Sequence, residues 1–158
     1  MPPRRYPLEA LAQARGAKVE AAARSLADAV RARESAARDR LAAQARKEAH
    51  EQGARAVKAA ERAALERGDR SAADLARENA WAARATVEGE ALTAGLERAR
   101  AVEAKAADTQ AGAQRDVAER RADAKVVDKH RQGWEGARRV AANAADEEAS
   151  AEAWRRKG

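Results

Sequence analysis

The chain has 158 residues, of which 37% are charged, 3% are aromatic and none is cysteine. This composition excludes a disulfide framework, a thiolate metal site and a thick apolar core. Its 45% hydrophobic content is mostly alanine, with 49 Ala against 8 Leu, 9 Val and no Ile or Phe. Alanine has the highest helix propensity but buries little surface. The composition therefore predicts an all-α protein of long helices with a thin seam between them.

The net charge of +6 lies in the first 70 residues, which hold 16 basic and 10 acidic side chains. Because acids and bases alternate almost everywhere, the sequence indicates a solvated helix surface with ion pairs along each helix. No apolar run is long enough for a membrane span, and the N-terminus lacks the apolar stretch of a secretory signal. We therefore expect a cytoplasmic protein.

The first predicted helix runs from about residue 7 to about residue 67. All three prolines lie before it or in its first turn, at Pro2, Pro3 and Pro7, where the missing N–H is tolerated. Large apolar residues recur every eleven positions, at Leu8, Val19, Val30 and Leu41. An eleven-residue repeat predicts a seam that is almost straight or slightly right-handed.

The stretch "LERGDRSAADL" at positions 65–75 predicts a turn at residues 68–71. Gly68 occupies the position of a glycine that ends a helix, and Ser71 with Asp74 forms a variant capping box that begins one. The alternatives are a soft point in one continuous helix, or an adhesion signal in Arg67-Gly68-Asp69. A helix end and a helix start this close together favour a hairpin.

The second predicted helix spans about residues 72–156, and its apolar residues follow a spacing of three and four. If the turn centres between Asp69 and Arg70, facing residues i and j satisfy i + j ≈ 139, so that Leu65 faces Leu75 and Leu41 lies near Leu96. Residues 136–158 have no counterpart in the first helix and form an overhang. The predicted fold is one antiparallel two-helix coiled coil over residues 1–158, whose second-helix seam contains Leu92, Leu96, Ala99, Glu103, Ala106, Gln110, Ala113, Val117, Arg120, Ala124, Val127, Arg131 and Trp134.

The residue types that carry chemistry form no recognisable catalytic or cofactor site. His50 and His130 have no second histidine one helical turn away, no serine lies in a nucleophile elbow, and there is no glycine-rich phosphate loop. We therefore expect no catalytic residue, no cofactor and no metal. The tryptophans are the largest amphipathic side chains: Trp81 near the turn and Trp134 near the open end are expected mainly to pack over the alanine-rich seam. Trp154, in the overhang and followed by "RRK", is the candidate binding anchor, with a disordered tail as the alternative.

Both ends of the chain resemble the FliJ/YscO (SctO) family, the cytoplasmic stalk proteins of flagellar and injectisome type III secretion systems. The stretch "RRYPLEALAQARGAKVEAAARSLADAVRARESAARDRLAAQ" is similar to the family's first helix, and "RRADAKVVDKHRQGWEGARRVAANAADEEASAEAW" to its C-terminal run. Residues 45–100 match only in being helical. The matching positions are Arg5, Tyr6, Leu8, Leu11, Arg15, Glu20, Ala23 and Leu26, then Arg121, Lys125, Val126, Val127, Asp128, Arg131, Asp146, Glu147, Glu148 and Ala149.

The resemblance implies a non-catalytic helical hairpin whose terminal end inserts into the hexameric secretion ATPase. The rest would reach an export gate protein of the SctV/FlhA type, and the protein could also escort export chaperones. It would be peripheral to the inner-membrane secretion apparatus, without membrane insertion. The expected ATPase-ring contacts are Arg4, Arg5, Tyr6, Trp134, Trp154, Arg155 and Arg156; the expected export-gate contacts at the tip are Leu65, Arg67, Asp69, Arg70, Leu75 and Trp81.

Three other functions remain open on the sequence. The first is a generic structural coiled coil, which would form dimers if its seams continued between chains. The second is a basic helical nucleic-acid-binding protein, which the 26 acidic residues disfavour. The third is a hydrophilic stress-type protein that is disordered when free.

Overall fold

The computed structural model describes residues 5–156, which form two α-helices and no strand. Helix α1 comprises Glu9–Glu66 and helix α2 comprises Ala72–Arg155. The two long helices pack against each other, which confirms the predicted all-α helical hairpin. Helix α1 begins at Glu9, two residues after Pro7. The Leu8 carbonyl accepts a hydrogen bond from the Ala12 N–H at 2.9 Å, so the helical i to i+4 pattern starts from the residue before Glu9.

Helix α1 ends in a left-handed glycine, as predicted. Gly68 has a φ of 74° and is the only residue of the described chain with a positive φ. The Gly68 N–H donates to the Leu65 carbonyl and the Asp69 N–H to the Ala64 carbonyl, both at 3.0 Å. These two bonds form a Schellman motif, which satisfies carbonyls that the end of the helix leaves without partners.

Helix α2 starts at the predicted capping box. The Asp74 N–H donates to the Ser71 hydroxyl at 3.2 Å, and the Ser71 N–H donates to the Asp74 carboxylate at 3.0 Å. The hydrogen bonds from Ser71 and from Arg77 hold the pKa of Asp74 well below its ordinary value of 3.8. Residues 64–74 therefore contain both the stop signal of α1 and the start signal of α2.

The predicted seam of α2 is confirmed. All thirteen positions from Leu92 to Trp134 are buried or half-buried, and Leu96, Val117 and Val127 are the most enclosed. Three of the four polar members of the seam, Glu103, Gln110 and Arg131, find partners at the α1 side, whereas Arg120 pairs with Asp116 of α2. Glu103 binds Arg40 at 2.8 Å, and Gln110 accepts a hydrogen bond from Arg33 at 3.2 Å.

The predicted eleven-residue seam of α1 holds only in part: Leu8, Val19 and Val30 are half-buried, whereas Leu41 is 55% exposed. The fully buried positions of α1 are Ala22, Ala29 and Ala36, which are spaced by seven. A seven-residue repeat returns each side chain nearly to the same face of the helix, so this spacing decides which residues meet α2. Alanine at the buried positions permits close approach of the helices, and Leu41, five residues after Ala36, lies off this face of the helix.

The contacts group the chain into two units, each containing a segment of both helices. The terminal unit comprises residues 1–27 and 112–158, of which 5–27 and 112–156 are described, and the loop unit comprises residues 28–111. Within the loop unit, Glu61 interacts with Glu78, a pair whose numbers sum to the predicted 139. The assignment of residues 1–158 to one domain stays a prediction.

Candidate functional site

The centre of the terminal unit is the side chain of Tyr6, which is only 7% exposed. Its hydroxyl donates to the Val127 carbonyl at 3.2 Å and lies 2.9 Å from Nδ1 of His130. The hydroxyl has one proton, so both contacts are satisfied when His130 Nδ1 carries a hydrogen and donates it. These bonds fix the segment before α1 against the face of α2.

Aromatic and cationic side chains surround the Tyr6 ring. The Trp134 ring meets it edge-on with centroids 5.6 Å apart, and the Arg131 guanidinium lies 5.0 Å from the ring centroid. Arg131 also forms an ion pair with Glu9 at 2.6 Å. Both contacts are favourable, because the positive edge of one ring and the positive guanidinium each meet the negative face of an aromatic ring.

The residues predicted to contact an ATPase ring therefore differ in accessibility. Tyr6 is buried and acts within the unit, joining the two ends of the chain, and Trp134 is half-buried beside it. Arg5, Trp154, Arg155 and Arg156 are exposed, with Trp154 82% accessible. Arg4 lies outside the described residues.

A shallow groove on α2 follows the Tyr6 cluster. Its lining is Trp134, Glu135, Arg138, Arg139 and Ala142. The Arg138 guanidinium lies 5.2 Å from the Trp134 ring centroid, a cation–π contact. The groove combines an aromatic surface with two arginines, a composition typical of protein-binding surfaces.

At the loop, the predicted tip residues are mostly accessible. Leu65 and Leu75, which were predicted to face each other, are 48% and 41% exposed. Arg67 and Asp69 are exposed and form an ion pair with each other at 3.1 Å. The loop thus presents two leucines, separate from the seam, beside a self-paired charged turn.

Trp81 lines an open groove of the loop unit. It is half-buried and lines the groove with His50, Val57 and Arg84. The Nε2–H of His50 donates to the Ala85 carbonyl at 2.9 Å, which holds the imidazole across the seam. Trp81 is therefore partly used in packing and partly available to a ligand.

Sequence reasoning missed a carboxylate pair beneath the loop. Glu61 of α1 meets Glu78 of α2; burial first, then the hydrogen bond and charge of Glu78, raise the pKa of Glu61 above its ordinary value of 4.5. Arg70 and Lys58 oppose this shift. Glu78 Oε2 and Arg70 Nε are both buried and make no hydrogen bond within the described chain. The signal that could have found the pair is the predicted register of facing residues, since 61 and 78 sum to 139.

Within residues 5–156, no group of three or more potential metal ligands occurs, and no helix is long and apolar enough to cross a membrane. Comparison with models of known families, with curated proteins and with solved structures finds no match. The resemblance to the FliJ/YscO family therefore stays a hypothesis.

Proposed function

We propose that the chain is a non-catalytic stalk protein of a type III secretion system, related to the FliJ/YscO family. The observation that supports this best is that the two stretches that carry the resemblance pack together. Tyr6, from the N-terminal stretch, is hydrogen-bonded to the Val127 carbonyl and to His130 of the C-terminal stretch. Residues that match the family pattern at 5–26 and 121–131 thus belong to one packed unit.

The proposed ring-binding surface is the exposed part of the terminal unit. Trp154 followed by two arginines offers a large apolar anchor and two charges that pair well with carboxylates. Arg5 adds a further cation. Acidic loops lining the pore of a hexameric ATPase are the complementary partner in this proposal. The ATPase would hydrolyse ATP, and the stalk would transmit the resulting motion.

The proposed gate-binding surface is the loop end of the loop unit. Leu65 and Leu75 are exposed apolar side chains beside the Arg67–Asp69 pair, so they can be buried by a partner at little desolvation cost. We assign this surface to an export gate protein of the SctV/FlhA type. An escort role for export chaperones, and a location beside the inner-membrane apparatus, belong to the same proposal.

The test of ring binding is stimulation of the secretion ATPase by the purified chain. Reversal of both terminal charges in Arg155→Glu/Arg156→Glu should raise the concentration needed for half-maximal stimulation by about tenfold or more, because two charge-assisted contacts become repulsive. The matched control is Arg24→Glu/Arg31→Glu, which changes the net charge equally on an exposed part of α1. Absence of stimulation by the wild-type chain, or equal effects of the two variants, would contradict the proposal.

The gate surface is tested separately by binding to the cytoplasmic part of the gate protein. Leu65→Ser/Leu75→Ser should weaken that binding and leave ATPase stimulation unchanged, since both leucines are exposed. Val87→Ser, an exposed apolar residue elsewhere on α2, is the matched control. Loss of ATPase stimulation in the leucine variant would show that the two surfaces had been wrongly separated.

A further inference from the structure

Two glutamates face each other across the helix pair just beneath the loop. Glu61 lies in the last two turns of α1, and Glu78 lies in the second turn of α2. Both side chains are half-buried, and they are in hydrogen-bonding contact with each other. Two acidic groups in such a position repel each other when both are ionised, so their contact in the folded chain needs a physical explanation.

The hydrogen bond between the two carboxyl groups requires a proton. An ionised carboxylate only accepts hydrogen bonds, so two ionised carboxylates have no donor between them. One bound proton turns one of the two groups into a donor and also removes the repulsion between like charges. Burial, the hydrogen bond to Glu78 and the charge of Glu78 all raise the pKa of Glu61 above 4.5, which is the direction that a shared proton produces.

The charged groups around the pair do not replace this proton. Arg70 of the loop and Lys58 of α1 act on Glu61 through their charge and not through a hydrogen bond. Oε2 of Glu78 is buried and has no hydrogen-bond partner among the protein donors of the described chain. Asp74, the acidic residue one turn before Glu78, is already bound by Ser71 and Arg77. A protonated Glu61 is therefore the donor that the buried carboxylate of Glu78 lacks.

We propose that Glu61 and Glu78 form a proton-dependent latch that closes the loop end of the hairpin. With one shared proton, the two side chains bridge α1 and α2 beneath the loop. When that proton leaves to solvent, both carboxylates are ionised and repel each other in a half-buried position, so the adjoining ends of the two helices separate. Leu65 and Leu75 lie within one turn of the pair, and the latch therefore also sets how these two exposed leucines are presented to a partner.

The direction of the pH effect follows from the raised pKa of Glu61. The proton is bound below pH 4.5 and is lost as the pH rises through the folded-state pKa, so the latch is closed at low pH and open at high pH. The cap of α2 does not titrate in this range, because its hydrogen bonds hold the pKa of Asp74 far below 3.8. The imidazole of His50, which lies 3.8 Å from Glu88 in the same unit, is the other group that the experiments must separate from the pair.

The first experiment follows the side-chain carboxyl carbon of Glu61 by nuclear magnetic resonance while the full chain is titrated with base. We expect it to titrate above pH 4.5 in the wild-type chain. In Glu78→Gln it should titrate at lower pH, because the like charge is gone and the new amide donates to the ionised Glu61. Glu66→Gln, an exposed glutamate in the last turn of α1, is the matched control and should leave the titration unchanged. A Glu61 titration that is the same in Glu78→Gln as in the wild-type chain overturns the shared proton.

The second experiment measures the separation of the helix ends with a pair of spin labels, which the absence of cysteine from the natural sequence makes specific. Ala59→Cys/Ala80→Cys places the labels at exposed positions beside the pair, one on each helix. The distance between the labels should shift to longer values between about pH 4 and about pH 8, as the proton is lost. Ala42→Cys/Ala94→Cys, also exposed and in the same unit but farther from the loop, is the control pair and should show no shift.

Two further variants of the labelled chain decide the cause of the shift. Glu61→Gln keeps a donor beside Glu78 and cannot ionise, so its label distance should stay short at both pH values. His50→Gln should shift as the wild-type chain does. A label distance that does not change with pH in the wild-type chain, or a shift of equal size in Glu61→Gln, overturns the latch. No partner protein enters these experiments, so their outcome is independent of the proposed secretion role.

Discussion

Two glycine-to-alanine substitutions should change the stability of the hairpin in opposite directions. Gly68 ends α1 with a φ of 74°, whereas Gly53 lies inside α1, and an added Cβ meets no atom within 4 Å at either position. Steric contact is therefore the same at the two sites. What differs is the backbone conformation that the new side chain must adopt.

The magnitudes follow from that difference. At Gly68, the left-handed conformation costs an L-residue about 1–2 kcal/mol, and the lower entropy of the unfolded alanine chain returns ~0.4–1 kcal/mol. Gly68→Ala should therefore lower the free energy of unfolding by about 0.8 kcal/mol, the difference between the midpoints of the two ranges. At Gly53, alanine is the better helix former by up to ~1 kcal/mol, so Gly53→Ala should raise the free energy of unfolding by up to that amount.

The assay is urea unfolding followed by far-ultraviolet circular dichroism, with the midpoint compared at constant slope. A changed slope would show that the two units no longer unfold together, and amide hydrogen exchange at residues 67–72 would then report the local effect. An equal shift of the midpoint in the same direction for both variants would refute the reasoning, because it would mean that the conformation at Gly68 carries no cost for alanine.

Three further predictions concern the terminal cluster, the cap of α2 and the carboxylate pair. Tyr6→Ala should lower the free energy of unfolding by about 3 kcal/mol and Tyr6→Phe by about 1 kcal/mol, since only the second retains the ring while losing the bond to Val127; equal effects in thermal unfolding would show that packing contributes nothing. Ser71→Ala should lower the free energy of unfolding by ~1 kcal/mol, because the cap of α2 is lost. An unchanged rate of amide hydrogen exchange in the first turn of α2 would contradict this. The pKa of Glu61 is raised in the folded state, so protonated Glu61 stabilises the fold below pH 4.5, and this stabilisation is lost as the pH rises through the folded-state pKa. Glu61→Gln and Glu78→Gln should therefore both flatten the dependence of unfolding free energy on pH in this range. A wild-type slope in either variant would argue against the pair.

The connection between the helices could be read from the sequence because its signals are local. Gly68 needs only its own backbone to adopt a positive φ, and Ser71 and Asp74 satisfy each other's main-chain donors within four residues. The seam of α2 was also predictable, since leucine, valine and tryptophan mark one face over several turns. Local hydrogen bonding and strong apolar periodicity do not depend on the rest of the fold.

The seam of α1 was not predictable in the same way. Its buried residues are alanines, and alanine is so frequent in this chain that its spacing gives no contrast between one face and another. The few large residues suggested a period of eleven, which Leu41 contradicts by its exposure. Only contact with α2 decides which of many alanines is buried.

The sequence by itself determined that this protein is helical, where its helices stop and start, and that it carries little apolar material for a core. These properties depend on backbone propensity, capping and composition, which act over a few residues. The tertiary structure alone decided that Tyr6 is enclosed by His130, Arg131 and Trp134, and that Glu61 meets Glu78. Residues far apart in the chain acquire shared burial and mutual charge only when the register of the two helices brings them together.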